Sequence, residues 1–430
     1  MKPKIGVVGL WHLGCVLCAA WNQLGHAVVG YDSDPKRVSG LGQGKPPLYE
    51  PHLTETLEDA LRDNQIQFTH DIRGVSGCDF VFLSYDTPVL DDDSSDTSIL
   101  ESSVSDLAAV MKNGSILVVS SQSPVGFCRT LRELLRKKNN SLELAYSPEN
   151  LRLGEAIACY LHPERIILGT ATPAAEKACL DLFSPLSADV LTMGLESAEM
   201  VKHGINSFLA TSIVFANQLS DLCEKTGARI GDVIRGMKSD PRIGSKAYLA
   251  PGIGFSGGTL GRDLKVLEKA GANDPSSGEL FGTIHRLNNS RKHRILQRIR
   301  SICGPLDGKK IGILGATYKP GTSTLRRSLP LEIVDLLIEN GAEVAVFDPK
   351  ADYTELTTKP LFIVAKTVEA LSESAEMLVL LTEWKEFKDI AWTIVARKMS
   401  HPVFFDAKNF LDGEAMRLCG FKYHCIGRSD

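Results

Sequence analysis

Short apolar runs alternate with longer amphipathic segments along most of the chain. Three runs near the start are KIGVVG (4–9), GHAVVGYD (25–32) and CDFVFLS (78–84). Three runs near the end repeat this order: KIGILG (310–315), GAEVAVFD (341–348) and AEMLVLLT (375–382). Such β-branched runs are typical of strands buried in a parallel sheet, and helix-like segments separate them. The pattern predicts an α/β fold with two Rossmann-like doubly wound domains, one at each end.

A different pattern lies between the two ends. Residues 195–226 contain no proline and a single glycine, Gly204, and their apolar positions mostly follow helical spacing. This predicts one long central helix within a helical middle segment. The predicted domains are 1–194, 195–302 and 303–430, and the loop CGPLDGKK leads into the last of them.

Composition and charge narrow the class of protein. The chain has 430 residues, enough for two or three domains, with 43% hydrophobic and 23% charged residues, as in ordinary globular proteins. A net charge of −4 gives no electrostatic basis for binding nucleic acid or a membrane surface. No stretch reaches the ~20 apolar residues of a membrane span, and the N-terminus lacks a signal-peptide pattern. We expect a cytoplasmic protein.

Cysteine spacing gives no metal site. Cys15 and Cys18 form one C-x-x-C pair, and no second pair accompanies it. Because a structural metal site needs about four ligands, we interpret the two as small residues on a helix that packs against the sheet. No bound metal is predicted.

The loop GLWHLG at 9–14 lies where a dinucleotide-binding loop joins the first strand to the first helix. It matches G-x-G-x-x-G except that Trp11 replaces the second glycine. Two alternatives stay open for Trp11: it fills a phosphate site that has lost its ligand, or it turns outward over a cofactor or substrate. An acid that ends the second strand favours NAD, because it can bind a ribose hydroxyl. The predicted cofactor contacts of this region are Gly9, Leu10, Trp11, His12, Leu13, Gly14, Asp32 and Arg37.

The loop PGIGFSGGTLGRDL at 251–264 makes a family resemblance specific. It resembles the P-G-x-G-F-G-G-S-C-F-P-K-D loop of the UDP-glucose/GDP-mannose dehydrogenase family. Other stretches similar to motifs of that family occur in order along the chain: PLYEPHL (47–53), DTPV (86–89), SSQSPVG (120–126), SPENLRLGEAI (147–157), EMVKHGINSFLA (199–210), DPRIG (240–244), TYKPGTSTLRRS (317–328) and TEWKEF (382–387). The resemblance implies an N-terminal NAD domain, a central dimerising helix and a C-terminal nucleotide-sugar domain.

Three positions depart from the chemistry that the resemblance implies. The family oxidises a primary alcohol twice, and a cysteine thiolate captures the intermediate aldehyde before the second oxidation and hydrolysis. Thr259 stands at that cysteine, and a hydroxyl is a far weaker nucleophile than a thiol. Arg262 replaces a lysine, and Leu153 replaces a glutamate that manages water near the adduct. All three changes affect capture of the aldehyde or its hydrolysis.

The groups needed for the first oxidation remain. Lys202 and Asn206 are spaced i, i+4 and share one helix face, and Asp263 can position a water or pair with Lys202. The implied catalytic positions are Lys202, Asn206, Asp263, Glu149 and, at the nucleophile position, Thr259. The implied substrate contacts are Glu149, Lys202, Asn206, Arg242, Gly254, Phe255, Gly257, Tyr318, Lys319 and Lys408. Further implied cofactor contacts are Thr87, Pro88, Ser121 and Arg326.

These residues favour an NAD-dependent oxidoreductase acting on a UDP- or GDP-linked sugar. Without the cysteine, it would be limited to a two-electron oxidation, or would return the hydride as an epimerase does. One alternative is an ordinary four-electron UDP-sugar 6-dehydrogenase. A second is a non-catalytic nucleotide-sugar-binding protein. The expected partners are the nucleotide sugar and a second copy of the chain, bound through the central helix.

Overall fold

The computed structural model describes residues 2–87, 96–148, 151, 154–271 and 275–429. Two compact units share the chain, Met1–Gly204 and Ile205–Asp430. Their boundary falls inside one helix, the predicted long central one. The division into domains 1–194, 195–302 and 303–430 stays a prediction.

Strands and helices alternate through the first unit. Its strands are β1 (Ile5–Val8), β2 (Val28–Tyr31), β3 (Ile66–Thr69), β4 (Phe80–Leu83), β5 (Ile116–Val119), β6 (Glu143–Tyr146), β7 (Arg165–Thr170) and β8 (Asp189–Met193). Its helices are α1 (His12–Gln23), α2 (Pro35–Leu41), α3 (Leu53–Arg62), α4 (Ser98–Val110), α5 (Phe127–Lys138), α6 (Ala156–Leu161) and α7 (Pro173–Phe183).

The described part of this unit forms an eight-stranded sheet in the order β3-β2-β1-β4-β5-β6-β7-β8. All neighbours pair in parallel except β6 and β7. The order reverses between β1 and β4, and in doubly wound sheets ligands bind at the carboxyl ends of the strands at such a reversal. This places the loop after β1 at the expected ligand-binding edge.

Alternate residues of the buried strands face two separate cores. Ile5 and Val7 of β1 pack with α1, whereas Val8 packs with residues of α4 and α5 on the other side of the sheet. Cys15 and Cys18 are fully buried on α1 in the first of these cores. The continuous apolar runs therefore arise because both faces of the sheet are covered by helices.

The described residues form four helices in the middle of the chain. They are α8 (Leu195–Thr226), α9 (Ile230–Ser239), α10 (Thr259–Ala270) and α11 (Pro275–Cys303). The bounds of α8 confirm the long helix that the proline-free segment predicted. A small apolar core of Ile213, Val214, Phe255, Leu264 and Ile284 joins α8, α10 and α11 within the second unit.

A second doubly wound sheet lies in the last part of the chain. Its strands are β9 (Lys310–Leu314), β10 (Glu343–Phe347), β11 (Ile363–Val364), β12 (Met377–Leu380), β13 (Val403–Asp406) and β14 (Lys422–Cys425). The helices beside it are α12 (Leu329–Glu339), α13 (Val368–Ser372), α14 (Trp392–Lys398) and α15 (Gly413–Leu418). The described strands pair in parallel in the order β11-β10-β9-β12-β13-β14, so the first six strands of unit 1 and this sheet share one topology.

The first loops of the two sheets share a hydrogen-bonding pattern. Gly9 and Gly315 each come directly after the first strand with a φ of 94°. The next residue in each loop donates its N–H to the aspartate that directly follows the second strand, Asp32 in unit 1 and Asp348 in unit 2, at 2.8 Å in both cases. The two loops differ in length, because α1 begins at residue 12 but α12 begins only at residue 329. Only the first loop leads at once into a helix N-terminus.

Among the described residues, no helix combines the length and the apolar character required to cross a membrane.

Candidate active site

The loop after β1 turns sharply into α1. A Cβ on Gly9 would lie 2.8 Å from the ring of Tyr85. A Cβ on Gly14 would lie 1.9 Å from the Gly9 carbonyl oxygen, so only glycine lets α1 begin this close to β1. These two positions meet the requirements of the first and third glycines of a dinucleotide-binding loop.

Trp11 fits its position without backbone strain. Its φ of −82° and ψ of −157° are open to any residue, so a side chain at this position needs only space. The indole is 40% exposed, and the guanidinium carbon of Arg37 lies 5.4 Å from its ring centroid. The ring thus lies against α2 and lines a pocket of about 260 Å³. The other residues of the pocket are Asp34, Lys36, Arg37, Gly40, Lys45 and Pro47.

Asp32 organises the end of β2 from a buried position. Its carboxylate accepts the N–H of Leu10 at 2.8 Å and the N–H of Asp34 at 2.9 Å. Arg37 donates to it at 2.8 Å, so the guanidinium lies between this carboxylate and the indole of Trp11. In this fold, an acid here is positioned to meet the adenosine ribose of a dinucleotide.

The N-terminus of α1 is a suitable site for a pyrophosphate. The first hydrogen bond of the helix runs from the Cys15 N–H to the Trp11 carbonyl at 3.0 Å. The N–H groups of His12, Leu13 and Gly14 precede that bond, and the positive end of the helix dipole favours an anion there. With the close approach at Gly14, these features fit a bound NAD.

The carboxyl ends of β4 and β5 support the same edge. The Ser84 hydroxyl donates to the Gly9 carbonyl at 2.9 Å. The Thr87 hydroxyl donates to the Gln122 carbonyl at 3.2 Å, and the Ser121 hydroxyl donates to a backbone carbonyl of β4. The predicted contacts Thr87 and Ser121 therefore lie on adjacent loops of unit 1. The predicted contacts Pro88 and Glu149, and also the substituted Leu153, lie outside the described residues.

The first turns of α8 hold the loop after β5. Glu199 is fully buried and accepts the N–H of Gly126 at 2.6 Å and the N–H of Cys128 at 2.8 Å. His203 forms a 2.8 Å hydrogen bond to the Ser123 carbonyl. Burial raises the pKa of Glu199, and its hydrogen bonds from the loop partly offset that rise. The sequence analysis did not identify either residue as functional, although both flank the buried Lys202 in the stretch EMVKHGINSFLA.

Glu50 is another residue that sequence reasoning missed. It lies in the quoted stretch PLYEPHL and is buried, with its carboxylate 2.8 Å from the Nε2 atom of His12. Its motif was the only signal that could have found it.

In the second unit, two asparagines hold the glycine-rich loop. Asn288 of α11 accepts the N–H of Phe255 and donates to its carbonyl, both at 2.9 Å. Asn217 of α8 accepts the N–H of Gly252 at 2.7 Å. Gly254 has a φ of 109°, and a Cβ there would lie 2.7 Å from the Asn288 amide oxygen. The loop is thus fixed by both helices, and glycine is required at this position.

The loop ends at the position of the missing thiol. Thr259 is the first residue of α10, with Gly258 as the N-cap, and it is exposed. Asp263, one turn further, is fully buried and accepts a hydrogen bond from the side-chain amide of Asn206. Arg262 is buried beside it. Two of the predicted catalytic residues, Asn206 and Asp263, are therefore in direct contact.

The predicted substrate residues of unit 2 occupy different environments. A Cβ on Gly257 would lie 3.1 Å from the Tyr318 ring, so these two are in close contact, and burial raises the pKa of Tyr318. The Lys319 ammonium lies 5.7 Å from that ring. Lys408 pairs with a glutamate at 3.0 Å. Arg242 is exposed and is paired with its neighbour Asp240, and Arg326, a predicted cofactor contact, is also exposed.

One doubly wound sheet has a dinucleotide-binding loop at its switch point, and the chain contains a second such sheet. These features define a two-unit α/β protein of the dinucleotide-dependent oxidoreductase class. The chain belongs to the UDP-glucose/GDP-mannose dehydrogenase family. Residues 3–187 match its NAD binding domain, residues 196–290 its central domain and residues 312–413 its UDP binding domain. The predicted fold class, family and NAD cofactor are confirmed.

Relatives match over nearly the whole length. The UDP-glucose 6-dehydrogenase of Rickettsia typhi is 33% identical over 435 residues, covering 99% of each protein. A UDP-glucose 6-dehydrogenase of Bacillus subtilis is 29% identical and covers 99% of this chain and 93% of that protein. A solved UDP-glucose dehydrogenase from Pyrobaculum islandicum superposes with a TM-score of 0.89 at 27% identity, over 100% of this chain and 98% of that one.

Proposed function

We propose that this chain catalyses a two-electron, NAD-dependent oxidation of a UDP-linked sugar and does not form the acid. The match of residues 312–413 to a UDP binding domain and the names of the relatives support the substrate class. The observation that carries the proposal is that Thr259 is the first residue of α10. The nucleophilic cysteine of the family stands at this position. A hydroxyl without an activating base does not capture an aldehyde efficiently.

NAD⁺ would accept the hydride that leaves the carbinol carbon. The hydroxyl proton leaves the same alcohol, so a carbonyl and one proton are formed for each NADH. In this step, Lys202 stabilises the developing alkoxide and relays its proton. Asn206 and Asp263, which are hydrogen-bonded to each other, orient a water that takes up the proton. The carbonyl product is then released, or it takes the hydride back on either face.

One alternative is an ordinary four-electron UDP-glucose 6-dehydrogenase. The names of the relatives favour it, because those proteins align over almost the full chain. It would require another group to take the place of the thiol. Product mass separates the two: an aldehyde or ketone supports the proposal, and a uronic acid supports the alternative.

A non-catalytic nucleotide-sugar-binding protein is the other alternative. Calorimetric titration of the purified protein, first freed of bound nucleotide, with NAD⁺ and separately with UDP-glucose tests it. Micromolar binding of both ligands together with NADH formation supports an enzyme. Binding of UDP-glucose without any binding of NAD⁺ would contradict the proposed activity.

The exposed face of α8 supports a homodimer. Phe208, Phe215 and Leu222 recur every seven residues and are 70%, 47% and 54% exposed. Such spacing places them in one stripe of the helix, and apolar stripes of this kind bury themselves against another helix. We propose that a second copy covers this stripe. Ten free cysteines accord with a reducing compartment, so we place the protein in the cytoplasm.

Replacing Phe215 by glutamate tests the dimer. The change introduces a charge into the proposed interface, so we expect the protein to become a monomer by light scattering at micromolar concentration. Exposed Tyr49, in unit 1, provides the control, since Tyr49→Glu should leave the mass unchanged. A wild-type monomer, or a Phe215→Glu dimer of unchanged affinity, would exclude this interface.

A further inference from the structure

One buried carboxylate connects the N-termini of two helices in the first unit. Glu50 is 2% exposed. Its Oε2 atom lies 2.8 Å from the His12 Nε2 atom and accepts the N–H of Gly154 at 3.0 Å. Its Oε1 atom accepts the N–H of Ala156 at 2.8 Å. His12 is the first residue of α1 and Ala156 is the first residue of α6.

These hydrogen bonds join segments with different tasks. The backbone of His12 belongs to the helix terminus that fits the pyrophosphate. Gly154 and Ala156 lie near the end of the stretch SPENLRLGEAI, which resembles the family motif that contains the position of Leu153. Helix α6 also packs on α1, with the rings of Tyr160 and Trp21 6.1 Å apart. The carboxylate thus links the cofactor loop to the start of α6.

We propose that Glu50 is a positioning residue that acts through His12, so that occupation of the cofactor loop orders the start of α6. The inference rests on the proposed NAD-dependent function. A dinucleotide held by the first turn of α1 fixes the His12 backbone and restricts its side chain. A restricted donor holds the buried carboxylate in one place, and the carboxylate then holds the N–H groups of Gly154 and Ala156. Charged acceptors make such hydrogen bonds strong.

A purely structural clamp would hold α6 equally well with and without cofactor. The two roles therefore differ in how NAD⁺ changes the opening of α6, and amide exchange measures such local opening. His12 is a better residue to change than Glu50, because the His12 side chain is 13% exposed. When His12 is replaced, Glu50 still accepts the N–H groups of Gly154 and Ala156. His12→Phe removes the donor, and His12→Gln restores one.

Hydrogen exchange of residues 154–161, with and without saturating NAD⁺, tests the proposal, and calorimetry on the same samples reports NAD⁺ binding. In the wild type, we expect NAD⁺ to slow hydrogen exchange at the start of α6 by about tenfold. NAD⁺ should not slow this exchange in His12→Phe, whereas His12→Gln should recover the effect. Equal protection in His12→Phe, or none in a wild type that binds NAD⁺, would overturn it. A wild type that fails to bind NAD⁺ would overturn the proposed function as well, and calorimetry identifies that case separately.

Discussion

In the reaction we propose, single side chains decide which of the two oxidations can occur. Thr259 lacks the thiol that would hold an aldehyde, whereas Asn206 and Asp263, to which we assign a role in the first oxidation, are in contact. Trp11 replaces a glycine, but the structure shows that the position needs no unusual backbone angle. Of the two alternatives left open for Trp11, its partly exposed ring beneath Arg37 favours the outward one. We infer that the indole forms part of the adenosine end of the cofactor site.

Tryptophan fluorescence tests this assignment. Trp21, Trp384 and Trp392 are buried, so Trp11 is the exposed indole among the four tryptophans of the chain. We expect NAD⁺ to quench the emission of Trp11, and Trp11→Phe to lose that change while it keeps binding. Trp11→Ala should weaken NAD⁺ binding by about twofold to twelvefold, since an aromatic contact contributes about 0.5–1.5 kcal/mol. Tighter binding by Trp11→Ala would mean that the indole obstructs the site.

At the scale of elements, buried polar side chains of helices fix the functional loops. Asn288 of α11 holds the glycine-rich loop in unit 2, and Glu199 of α8 holds the loop after β5 in unit 1. An unpaired buried N–H costs about 1–3 kcal/mol, so each of these side chains has a large effect on its loop. Hydrogen bonds from the protein's own helices therefore hold both loops.

Glu199→Gln should therefore destabilise unit 1. The carboxylate uses one oxygen for Gly126 and the other for Cys128, and an amide has only one oxygen to offer. We expect a loss of about 1–3 kcal/mol in the free energy of unfolding, measured by urea denaturation. Glu196→Gln is the matched control, because Glu196 forms a surface ion pair with Arg129, and such pairs contribute about 0–1 kcal/mol. Equal effects of the two changes would contradict the capping role of Glu199.

At the scale of the whole molecule, two units repeat one sheet order, and local patterns in the sequence predicted this. The apolar runs and the proline-free stretch of α8 depend on neighbours a few residues away, which one sequence displays. The missed contacts join distant residues: Glu199 and Gly126 are 73 positions apart, and Glu50 and Gly154 are 104 apart. Hydrophobic periodicity does not indicate which distant residues will pair. The sequence analysis therefore identified the motifs that contain these residues but not the contacts between them.

The whole first unit should lose stability in alkaline solution. Burial raises the pKa of Cys15 and of Cys179 from 9.0 to about 12, and that of Cys78 to about 11. Unfolded thiols lose protons first, so the folded state binds more protons between pH 9 and these values, and stability falls as pH rises there. Each thiol contributes up to about 1.4 kcal/mol per pH unit. Urea midpoints should fall across this range, and less steeply in Cys15→Ala. An identical slope in that variant would contradict the assignment to the thiols.

The count of NADH formed per sugar tests the central claim most directly. With limiting UDP-glucose and excess NAD⁺, the wild type should form at most one NADH per sugar and a carbonyl product, because Thr259 cannot hold the aldehyde for a second transfer. Thr259→Cys should add a second NADH in a burst of about one per active site, and sustained turnover should require Leu153→Glu as well. Two NADH per sugar and a uronic acid from the wild type would contradict the account.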